Sequence, residues 1–516
     1  MPLLFNYDYA LAFTVICLSL WFWRRNYRDA NVWMYCTYAG IALVGWLGYF
    51  AFNTWEYRFP MYVRDFLVIG MVGLVQSLAV GRRISIWLAV VLIFSIFVLS
   101  RLLPFTGQAS SFAAKGESGY IEVPFSSTPT IKADPDGEYL VEKAPKVTDA
   151  ELSAWAKAND FKVRRAFFPQ QSDETLLDEY FVLDTKRANR RTRKLIEKCD
   201  LISYFEINEQ IQVAPLAAEP TATSPRTSFG VNDPSTDQQW MMTVLDMTTY
   251  YELLRSTEPR KKAKIAILDT GVDAQHEDLQ AVYSSTQSKY DNDPKGHGTH
   301  CAGIAAAATD NGIGIASPGG LPGFVEITSI KVLSAGGMGT QKTIIQGMIE
   351  AIDSGADIIS MSLGGISNSA RRRAYNQVVS YARRKNVIVI ASAGNSNREA
   401  TEYSPANTAG VICVSAIDNL MLRAPFSNRV GGVKMPIAAP GVGVYSTIPN
   451  SNYGAYSGTS MSCPFVAGIV GVMRSLQPEL TTEEAYDILA RTGKKTTEFD
   501  QLGPVIMPAA ALREVL

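Results

Sequence analysis

Apolar and polar positions divide the chain into two contrasting parts. Four apolar stretches fill the first hundred residues and are separated by short charged loops: Leu3–Trp23, Val32–Phe52, Phe66–Val80 and Ile84–Leu99. Each stretch is near the length that a helix needs to cross a bilayer. A cleavable signal peptide does not fit, because no cationic region precedes the first stretch and no small-residue cleavage site follows it. The pattern therefore predicts an α-helical transmembrane bundle over residues 1–103.

The loop cations give this bundle an orientation. Arginines follow the first span (Arg24, Arg25 and Arg28) and the third span (Arg82 and Arg83). Lysine and arginine near the ends of spans are retained on the cytoplasmic side. We therefore expect both ends of the bundle to face outward, with the chain after Ser100 in the periplasm or outside the cell.

A Ser/Gly/Pro/Thr-rich linker over 104–136 leads to a small domain predicted at 137–213. Its strand-like stretches are "EYLVEK", "FKVRRAFF", "DEYFVLD" and "ISYFEIN", and its helix-like stretches lie near 150–158 and 186–198. The order βαββαβ is that of a ferredoxin-like α+β fold. Because many unrelated activities use this fold, the pattern alone indicates no function.

A second loose stretch, predicted as a linker over 214–231, precedes the largest domain at 232–516. Apolar strands such as "KIAIL", "DIISMSL" and "VIVIAS" alternate there with amphipathic helices. Continuous β-branched runs in this order predict an α/β fold with a parallel sheet covered by helices on both faces. Functional residues in such folds gather at the carboxyl ends of the strands.

Charge and cysteine content bear on the possible partners and on disulfide bonding. The chain of 516 residues has a formal net charge of −1, and its one dense basic run, Lys186–Lys194, alternates with polar residues as a solvated helix face does. We therefore expect no nucleic-acid partner. The six cysteines do not form a disulfide framework, because Cys17 and Cys36 fall in predicted spans. We expect Cys301 and Cys463, on apolar helices, to be small buried hydrophobic residues.

Two of the three histidines of the chain stand in "KGHGTHCAGIAAAA", at His297 and His300. This stretch permits three interpretations: a polar helix start, a metal pair or a catalytic base. A zinc pair is disfavoured because "HGTH" has no glutamate between the histidines and no further ligand set beside them.

Two other glycine-rich stretches accompany this one at predicted strand or helix ends. Asp269 lies in "AILDTGVD", and Ser460 lies in "YSGTSMSCPFVAG". An acid, an imidazole and a hydroxyl in such positions assemble a nucleophile, because the acid holds the imidazole and the imidazole takes the serine proton.

With these three motifs, in the order Asp, His, Ser, the chain resembles the subtilisin-like serine proteases. The resemblance extends from about Asn232 towards the C-terminus and includes "KVLSAGGMGT", "ISMSLGG" and "SAGN". It implies a serine endopeptidase that forms an acyl-enzyme on Ser460, with His297 as general base and Asp269 orienting it. It implies no cofactor for catalysis.

The resemblance also assigns binding residues. Asn395 in "ASAGNSN" matches the asparagine that donates to the oxyanion, although a turn-forming Asn after Gly is the other interpretation. Five residues match stretches that pair with an extended peptide, which implies polypeptide substrates: Gly337, Gly339, Ser362, Leu363 and Gly364.

The specificity pocket is less fully defined by the resemblance. Tyr403 in "TEYSPAN" lies about where the family lines this pocket, and a bulky ring there favours small substrate side chains. The nearby Glu399 and Glu402 leave a preference for basic side chains open.

Several further positions carry structural expectations. His300 packs within its motif in the family, whereas His276 in "DAQHEDL" is expected to be a surface turn residue. Phe465 stands where the family often has histidine, which affects local packing more than catalysis. Asp278 and Asn311 match places that hold structural calcium in relatives, although both are ordinary turn residues.

The domain at 137–213 resembles the inhibitory propeptide of these proteases in position, size and element order. Together with the bundle, it predicts a zymogen anchored in the lipid bilayer, with an intramolecular propeptide and a cut between Glu209 and Gly230. The opposing hypothesis is a catalytically silent peptide-binding or sensor protein on the same scaffold. The intact acid, base, nucleophile and oxyanion amide favour the enzyme.

Overall fold

The computed structural model describes residues 139–185, 190–213, 216–218, 229–367 and 372–516. The predicted transmembrane region (1–103) and first linker (104–136) lie outside these residues. So do most of the predicted second linker (214–231) and the start of the basic run at 186–189.

The N-terminal described unit is an antiparallel sheet of four strands with two helices. Its elements are β1 (Tyr139–Lys143), α1 (Asp149–Ala158), β2 (Lys162–Arg165), β3 (Tyr180–Asp184), α2 (Arg190–Glu197) and β4 (Ile202–Ile207), with 3-10 turns at Ser172–Glu174 and Leu177–Glu179. The sheet order is β2-β3-β1-β4. Helix α1 begins with a capping box, in which Thr148 and Glu151 each satisfy the other's backbone N–H. The predicted order of four strands and two helices is thus found.

Two short strands connect this unit to the larger one: β5 (Gln210–Gln212) and β6 (Leu216–Ala218). The first half of the larger unit then comprises α3 (Met241–Val244), α4 (Met247–Arg255), β7 (Ala263–Asp269), α5 (His297–Ala306), β8 (Val325–Lys331), β9 (Met338–Thr340), α6 (Gln341–Asp353), β10 (Ile358–Met361) and β11 (Gly365–Ile366).

The second half begins at α7 (Arg373–Arg384). It continues with β12 (Ile388–Ser392), β13 (Tyr403–Ser404), β14 (Val411–Ile417), β15 (Pro436–Pro440), β16 (Val444–Ile448), β17 (Asn452–Ser457), α8 (Thr459–Leu476), α9 (Thr482–Thr492), α10 (Phe499–Leu502) and α11 (Pro508–Arg513).

A six-stranded sheet in the order β15-β14-β12-β10-β7-β8 forms the centre of the larger unit, and all its neighbouring pairs are parallel. Alternate residues of each strand face opposite sides. Ile265 and Ile267 join a cluster with α5 and α8, whereas Ala266 and Leu268 join a cluster with α6 and α7. The predicted parallel sheet with helices on both faces is confirmed.

One helix of the described chain, Thr459–Leu476, is long and apolar enough to cross a membrane. Every residue of this helix is buried inside the protein, so its apolar character is that of a core helix. It packs against α5 and against most strands of the central sheet. The helix therefore places its first turn at the edge where strands β7, β10 and β12 end.

Candidate active site

Asp269 is the last residue of β7, and its carboxylate is fully buried. Its two oxygens lie 2.7 and 2.9 Å from His297 Nδ1, and the Thr270 backbone N–H donates to Oδ1 at 2.7 Å. The chain leaves the strand through Gly271, whose φ of 108° is costly for any residue with a side chain. The strand end and the glycine turn therefore fix the acid against the imidazole.

His297 is the first residue of α5, and a second buried carboxylate holds this helix end in place. Asp293 Oδ1 accepts the Gly296 N–H at 2.9 Å, and Asp293 Oδ2 accepts the Thr299 N–H at 2.8 Å. These N–H groups belong to the start of the helix, where no intrahelical carbonyl is available. Sequence reasoning missed Asp293, because it lies outside the helix and is not the N-cap residue, which is Gly296.

The electrostatics of His297 reflect two opposing effects. Burial disfavours the imidazolium, but the charge and hydrogen bond of Asp269 and the charge of Asp293 outweigh it, so the pKa of His297 is raised. Its Nε2 is buried and has no hydrogen-bond partner among the described residues. The imidazole thus has one nitrogen held by the acid and one available to take a proton.

Ser460 stands in the first turn of α8 and is 7% exposed. Its Oγ donates to the Ser362 carbonyl at 3.2 Å, and Ser362 Oγ donates to the Ser460 carbonyl at 2.7 Å. The serine hydroxyl is therefore directed to Ser362 rather than to His297 Nε2. Catalytic hydrogen bonds are often long or misaligned without substrate, and rotation about one side-chain bond redirects a serine hydroxyl.

Asn395 follows β12 and Gly394 and reaches the same helix start. Its Oδ1 accepts the N–H and the Oγ1–H of Thr459, both at 2.8 Å. Its Nδ2 lies 3.1 Å from the place that a Cβ on Gly458 would take. With the oxygen committed to Thr459, the exposed carboxamide keeps its N–H donors beside the serine.

The predicted peptide-binding residues flank a groove that the chain itself fills. Strand β5 pairs antiparallel with β9, with Ile211 opposite Gly339, and the Val213 N–H donates to the Gly337 carbonyl at 2.9 Å. On the other side, Ile211 Cγ1 is 3.1 Å from the Cβ position of Gly365, which directly follows Ser362, Leu363 and Gly364. The five predicted residues thus lie on both sides of an extended segment.

Comparison with known proteins agrees with this geometry. The Peptidase_S8 model, described as the subtilase family, matches residues 260–503. Thermitase from Thermoactinomyces vulgaris is 42% identical over 219 residues, which are 41% of this chain and 75% of thermitase. The chain belongs to the subtilase family. It is a subtilisin-like serine endopeptidase.

Two further similarities complete the comparison. Subtilisin DY from Bacillus licheniformis is 39% identical to this subtilase over 235 residues, which are 44% of this chain and 82% of subtilisin DY. A solved protease structure from Pseudoalteromonas arctica is 28% identical and has a TM-score of 0.49. The match covers 55% of this chain and 99% of that one.

The calcium candidates Asp278 and Asn311 are adjacent in this subtilase. Asn311 Nδ2 donates to Asp278 Oδ1 at 2.8 Å, and the Ile315 N–H donates to Oδ2 at 3.0 Å. Burial raises the pKa of Asp278 to about 7. Calcium requires six to eight oxygen ligands, whereas this carboxylate faces N–H donors. In this arrangement the two residues form a buried hydrogen-bonded pair, and calcium at this place stays a prediction.

The other two histidines have structural contacts. His300 Nε2 is 3.0 Å from the Gly454 carbonyl and its ring stacks on Tyr456 at 4.3 Å, so the expected packing role is found. Burial lowers the pKa of His300 to about 3, which keeps it neutral. The two imidazoles of "HGTH" thus have separate hydrogen-bond partners.

The expected surface position of His276 is wrong. The residue lies in a turn, as predicted, but it is fully buried, because β17 covers it. Its Nε2 is 3.0 Å from the Asn452 carbonyl, and its ring meets Tyr453 edge-on at 5.2 Å. The hairpin that covers this turn lies far from His276 in sequence, so the local sequence pattern does not predict the contact.

The remaining predictions concern packing. Cys301 and Cys463 are buried free thiols, as expected, and burial raises the pKa of both. Phe465 is 2% exposed and belongs to the core cluster of α5 and α8, so the histidine-to-phenylalanine difference affects the core. Neither thiol takes part in the Asp269–His297 hydrogen bonds.

Proposed function

We propose that this subtilase is a membrane-anchored endopeptidase, made as a self-processing zymogen whose propeptide is the domain at 137–213. One observation carries the proposal: two short strands that follow the N-terminal unit, Gln210–Gln212 and Leu216–Ala218, pair with strands of the protease unit. Strand β5 pairs with β9, and β6 pairs antiparallel with β17, the strand that leads directly into Ser460. The chain therefore occupies its own cleft as a bound peptide would.

In the proposed reaction, Ser460 Oγ attacks the peptide carbonyl while His297 Nε2 takes the hydroxyl proton. Asp269 stabilises the resulting imidazolium, and Asn395 Nδ2 together with the Ser460 N–H donates to the oxyanion. The C–N bond then breaks, His297 returns the proton to the leaving amine, and water hydrolyses the acyl-enzyme. The raised pKa of His297 supports its role as the proton acceptor.

Contacts at the ends of two helices support the propeptide assignment. The Gln341 N–H donates to the Glu209 carbonyl at 2.8 Å, and the Lys342 N–H donates to Asn208 Oδ1 at 3.0 Å. Both donors lie in the first turn of α6, where backbone N–H groups lack intrahelical acceptors. At the start of α7, Arg373 pairs with Glu142 of β1 at 2.8 Å.

A folding role gives such a domain a purpose. Strands β7 and β10 pair although they lie about ninety residues apart in sequence, and parallel sheets with contacts of this kind form slowly. A bound N-terminal unit supplies an early surface for α6 and α7. The four apolar stretches support the membrane anchor, and their flanking arginines support a protease domain outside the cytoplasm.

The test compares fragments of wild-type protein and Ser460→Ala, with tags at both ends and separation of membrane from soluble fractions. We expect two wild-type fragments divided between Glu209 and Gly230, and full-length Ser460→Ala in the membrane. Loss of the nucleophile costs about a millionfold in turnover in subtilisin itself. The matched control is Ser462→Ala, because Ser462 lies on the same helix and donates instead to the Ala439 carbonyl.

Identical fragments from wild type and Ser460→Ala would show that another protease makes the cut. A fluorophosphonate probe that fails to label Ser460 would contradict the catalytic assignment itself.

A further inference from the structure

Helix α2 of the N-terminal unit presents a row of cations to solvent. Arg190, Lys194 and Lys198 follow one another at intervals of four residues, so they lie along one side of the helix and its C-terminal end. All three are exposed, whereas Thr192 and Ile196, on the opposite side of the helix, are buried. The cations therefore point away from the sheet that the helix covers.

These cations share one open depression on the surface. Its volume is about 540 Å³, and its lining residues are Arg190, Arg191, Lys194, Leu195 and Lys198. The acidic residue of the helix, Glu197, does not line the depression and pairs with Arg193 at 2.8 Å. The four cations of the depression, defined here as the basic face, therefore keep a net positive charge.

The protease unit leaves the basic face uncovered. Ile196 of α2 packs with Leu152 of α1 in a cluster on one side of the N-terminal sheet. Leu140 and Leu177 lie on the other side of this sheet and join the cluster of the protease helices α6 and α7. The basic face thus remains exposed to solvent while the two units are in contact.

An anionic membrane surface is the partner that this charge pattern fits. Lysine and arginine near a bilayer of anionic lipids each strengthen binding, over a distance of about 10 Å at 0.1 M salt. Helix α2 has no aromatic side chain on which the bases of a single-stranded nucleic acid could stack. Leu195, which is 40% exposed among the cations, matches the apolar residues that enter the boundary between headgroups and acyl chains.

We propose that the basic face of α2 binds the headgroups of anionic phospholipids in the bilayer that the N-terminal bundle spans. The inference rests on the proposed function, because the membrane anchor brings the bilayer close to the N-terminal unit. The predicted linker over 104–136 connects the anchor to β1. A Gly/Ser-rich chain of this length has a root-mean-square end-to-end distance of about 30 Å, so it keeps the basic face at a high effective concentration beside the membrane.

This contact gives the N-terminal unit a position after processing. The proposed cut between Glu209 and Gly230 leaves the bundle and the N-terminal unit on one fragment. Lipid binding then holds the basic face, and with it the propeptide, on the membrane surface once the protease unit separates.

The test uses full-length Ser460→Ala protein in vesicles of phosphatidylcholine, with or without phosphatidylglycerol. An uncharged reagent acetylates exposed lysines, and mass spectrometry gives the rate at each one. We expect Lys194 and Lys198 to react about fivefold more slowly in the anionic vesicles at about 0.1 M salt. The difference should vanish at about 1 M salt, where the Debye length is about 3 Å. Lys494 and Lys495, exposed on the protease unit, should react equally in both kinds of vesicle.

Two charge-reversed variants provide the matched comparison. Arg190→Glu/Lys194→Glu should make Lys198 equally reactive in the two kinds of vesicle, because the basic face loses its net positive charge. Lys494→Glu/Lys495→Glu makes the same change of charge on the protease unit, and it should leave the slow acetylation of Lys194 and Lys198 in place.

Equal rates for Lys194 and Lys198 in the two kinds of vesicle, or a difference that persists at high salt, would overturn the inference. Duplex DNA that slows both lysines as strongly as the anionic vesicles do would assign the basic face to nucleic acid instead. Alkaline extraction of the same vesicles tests the anchor separately, because protein that it releases does not span the bilayer. The lysine rates are measured with vesicles present, so they decide the lipid contact whether or not the anchor holds.

Discussion

The protease unit and the N-terminal unit of this subtilase bury their cores in different ways. The central parallel sheet has its own helices on both faces, with α5 and α8 on one side and α6 and α7 on the other. The N-terminal sheet covers one face with its own helices, through Leu152 and Ile196. Its other face, with Leu140 and Leu177, shares the cluster of α6 and α7.

Under the proposed function, this difference separates the residues that carry out the reaction from the unit that inhibits it. The catalytic groups are fixed by buried elements inside one unit, whereas the position of the N-terminal unit depends on packing and hydrogen bonds between two units. Replacements in the protease unit should therefore change turnover. Replacements at the shared face should change how firmly the N-terminal unit holds the cleft.

The largest expected effect is a loss of turnover on replacing a residue of the active site in the protease unit. Asn395→Ala should lower kcat about 10²- to 10³-fold with little change in KM, a magnitude measured for the matching asparagine in subtilisin itself. Asn395→Asp keeps the acceptor for the Thr459 N–H but has no N–H donor, so it should lose a similar factor. Steady-state kinetics on one peptide substrate measures both variants.

Thr459→Val is the control for helix position, because it removes the hydroxyl that donates to Asn395 Oδ1 and leaves the carboxamide. We expect a smaller loss from this variant. An unchanged kcat in Asn395→Ala would contradict the oxyanion assignment.

The sequence predicted the contact of Asp269 with His297 better than the contacts between units, for physical reasons. Asp269, His297 and Ser460 each stand at the end of a strand or the start of a helix within a short glycine-rich motif, so local pattern suffices. His276 was misplaced because the strand that buries it lies about 175 residues further along the chain.

The pairing of Arg373 with Glu142 joins residues even further apart, and neither residue belongs to a motif. Glu206 also belongs to no motif, and its carboxylate contacts Gln341 of α6, which lies 135 residues further along the chain. Such contacts depend on how two surfaces fit together. The hydrophobic periodicity of one segment does not predict which other segment packs against it.

A matched pair of leucines tests the shared core. Leu177 and Leu152 are both fully buried, but Leu177 lies beside α7 and Leu152 packs under its own sheet. Leu177→Ala and Leu152→Ala should each lower local opening energy by about 2–5 kcal/mol. In the uncut Ser460→Ala protein, hydrogen exchange should rise in α7 only for the Leu177 variant.

Exchange in the N-terminal sheet should rise for both variants, because both leave a cavity there. If α7 exchanges equally in the two variants, the two units do not share a core in the way that the packing indicates.

The smallest expected effect is a pH dependence of the contact between the units. Glu206 is 3% exposed, and Gln341 Nε2 and Tyr204 Oη donate to its carboxylate at 2.9 and 3.2 Å. The Ala374 N–H also bonds to it, and Glu209 adds a like charge. Burial, opposed by these hydrogen bonds, raises the pKa of Glu206 to about 7 from its ordinary value of 4.5.

The bound state therefore retains a proton that the separated state releases, and binding between the units is favoured at low pH. Between about pH 4.5 and 7 the separated carboxyl is ionised while the bound one is protonated, so the stability of the contact falls as the pH rises. Above about pH 7 both are ionised and the dependence ends. The measurement is hydrogen exchange at the start of α6 from pH 5 to 8 in the Ser460→Ala protein, corrected for the intrinsic rate. The corrected exchange rate should increase as the pH rises to about 7, because the contact protects this helix end less.

The side chain of Glu206→Gln cannot ionise, so the corrected exchange rate of this variant should not increase with pH and should remain slow at pH 8. The control is Glu197→Gln on α2, which removes an exposed carboxylate paired with Arg193 and should follow wild type. If the corrected exchange rate of Glu206→Gln increases with pH as steeply as that of wild type, the pH dependence belongs to another group.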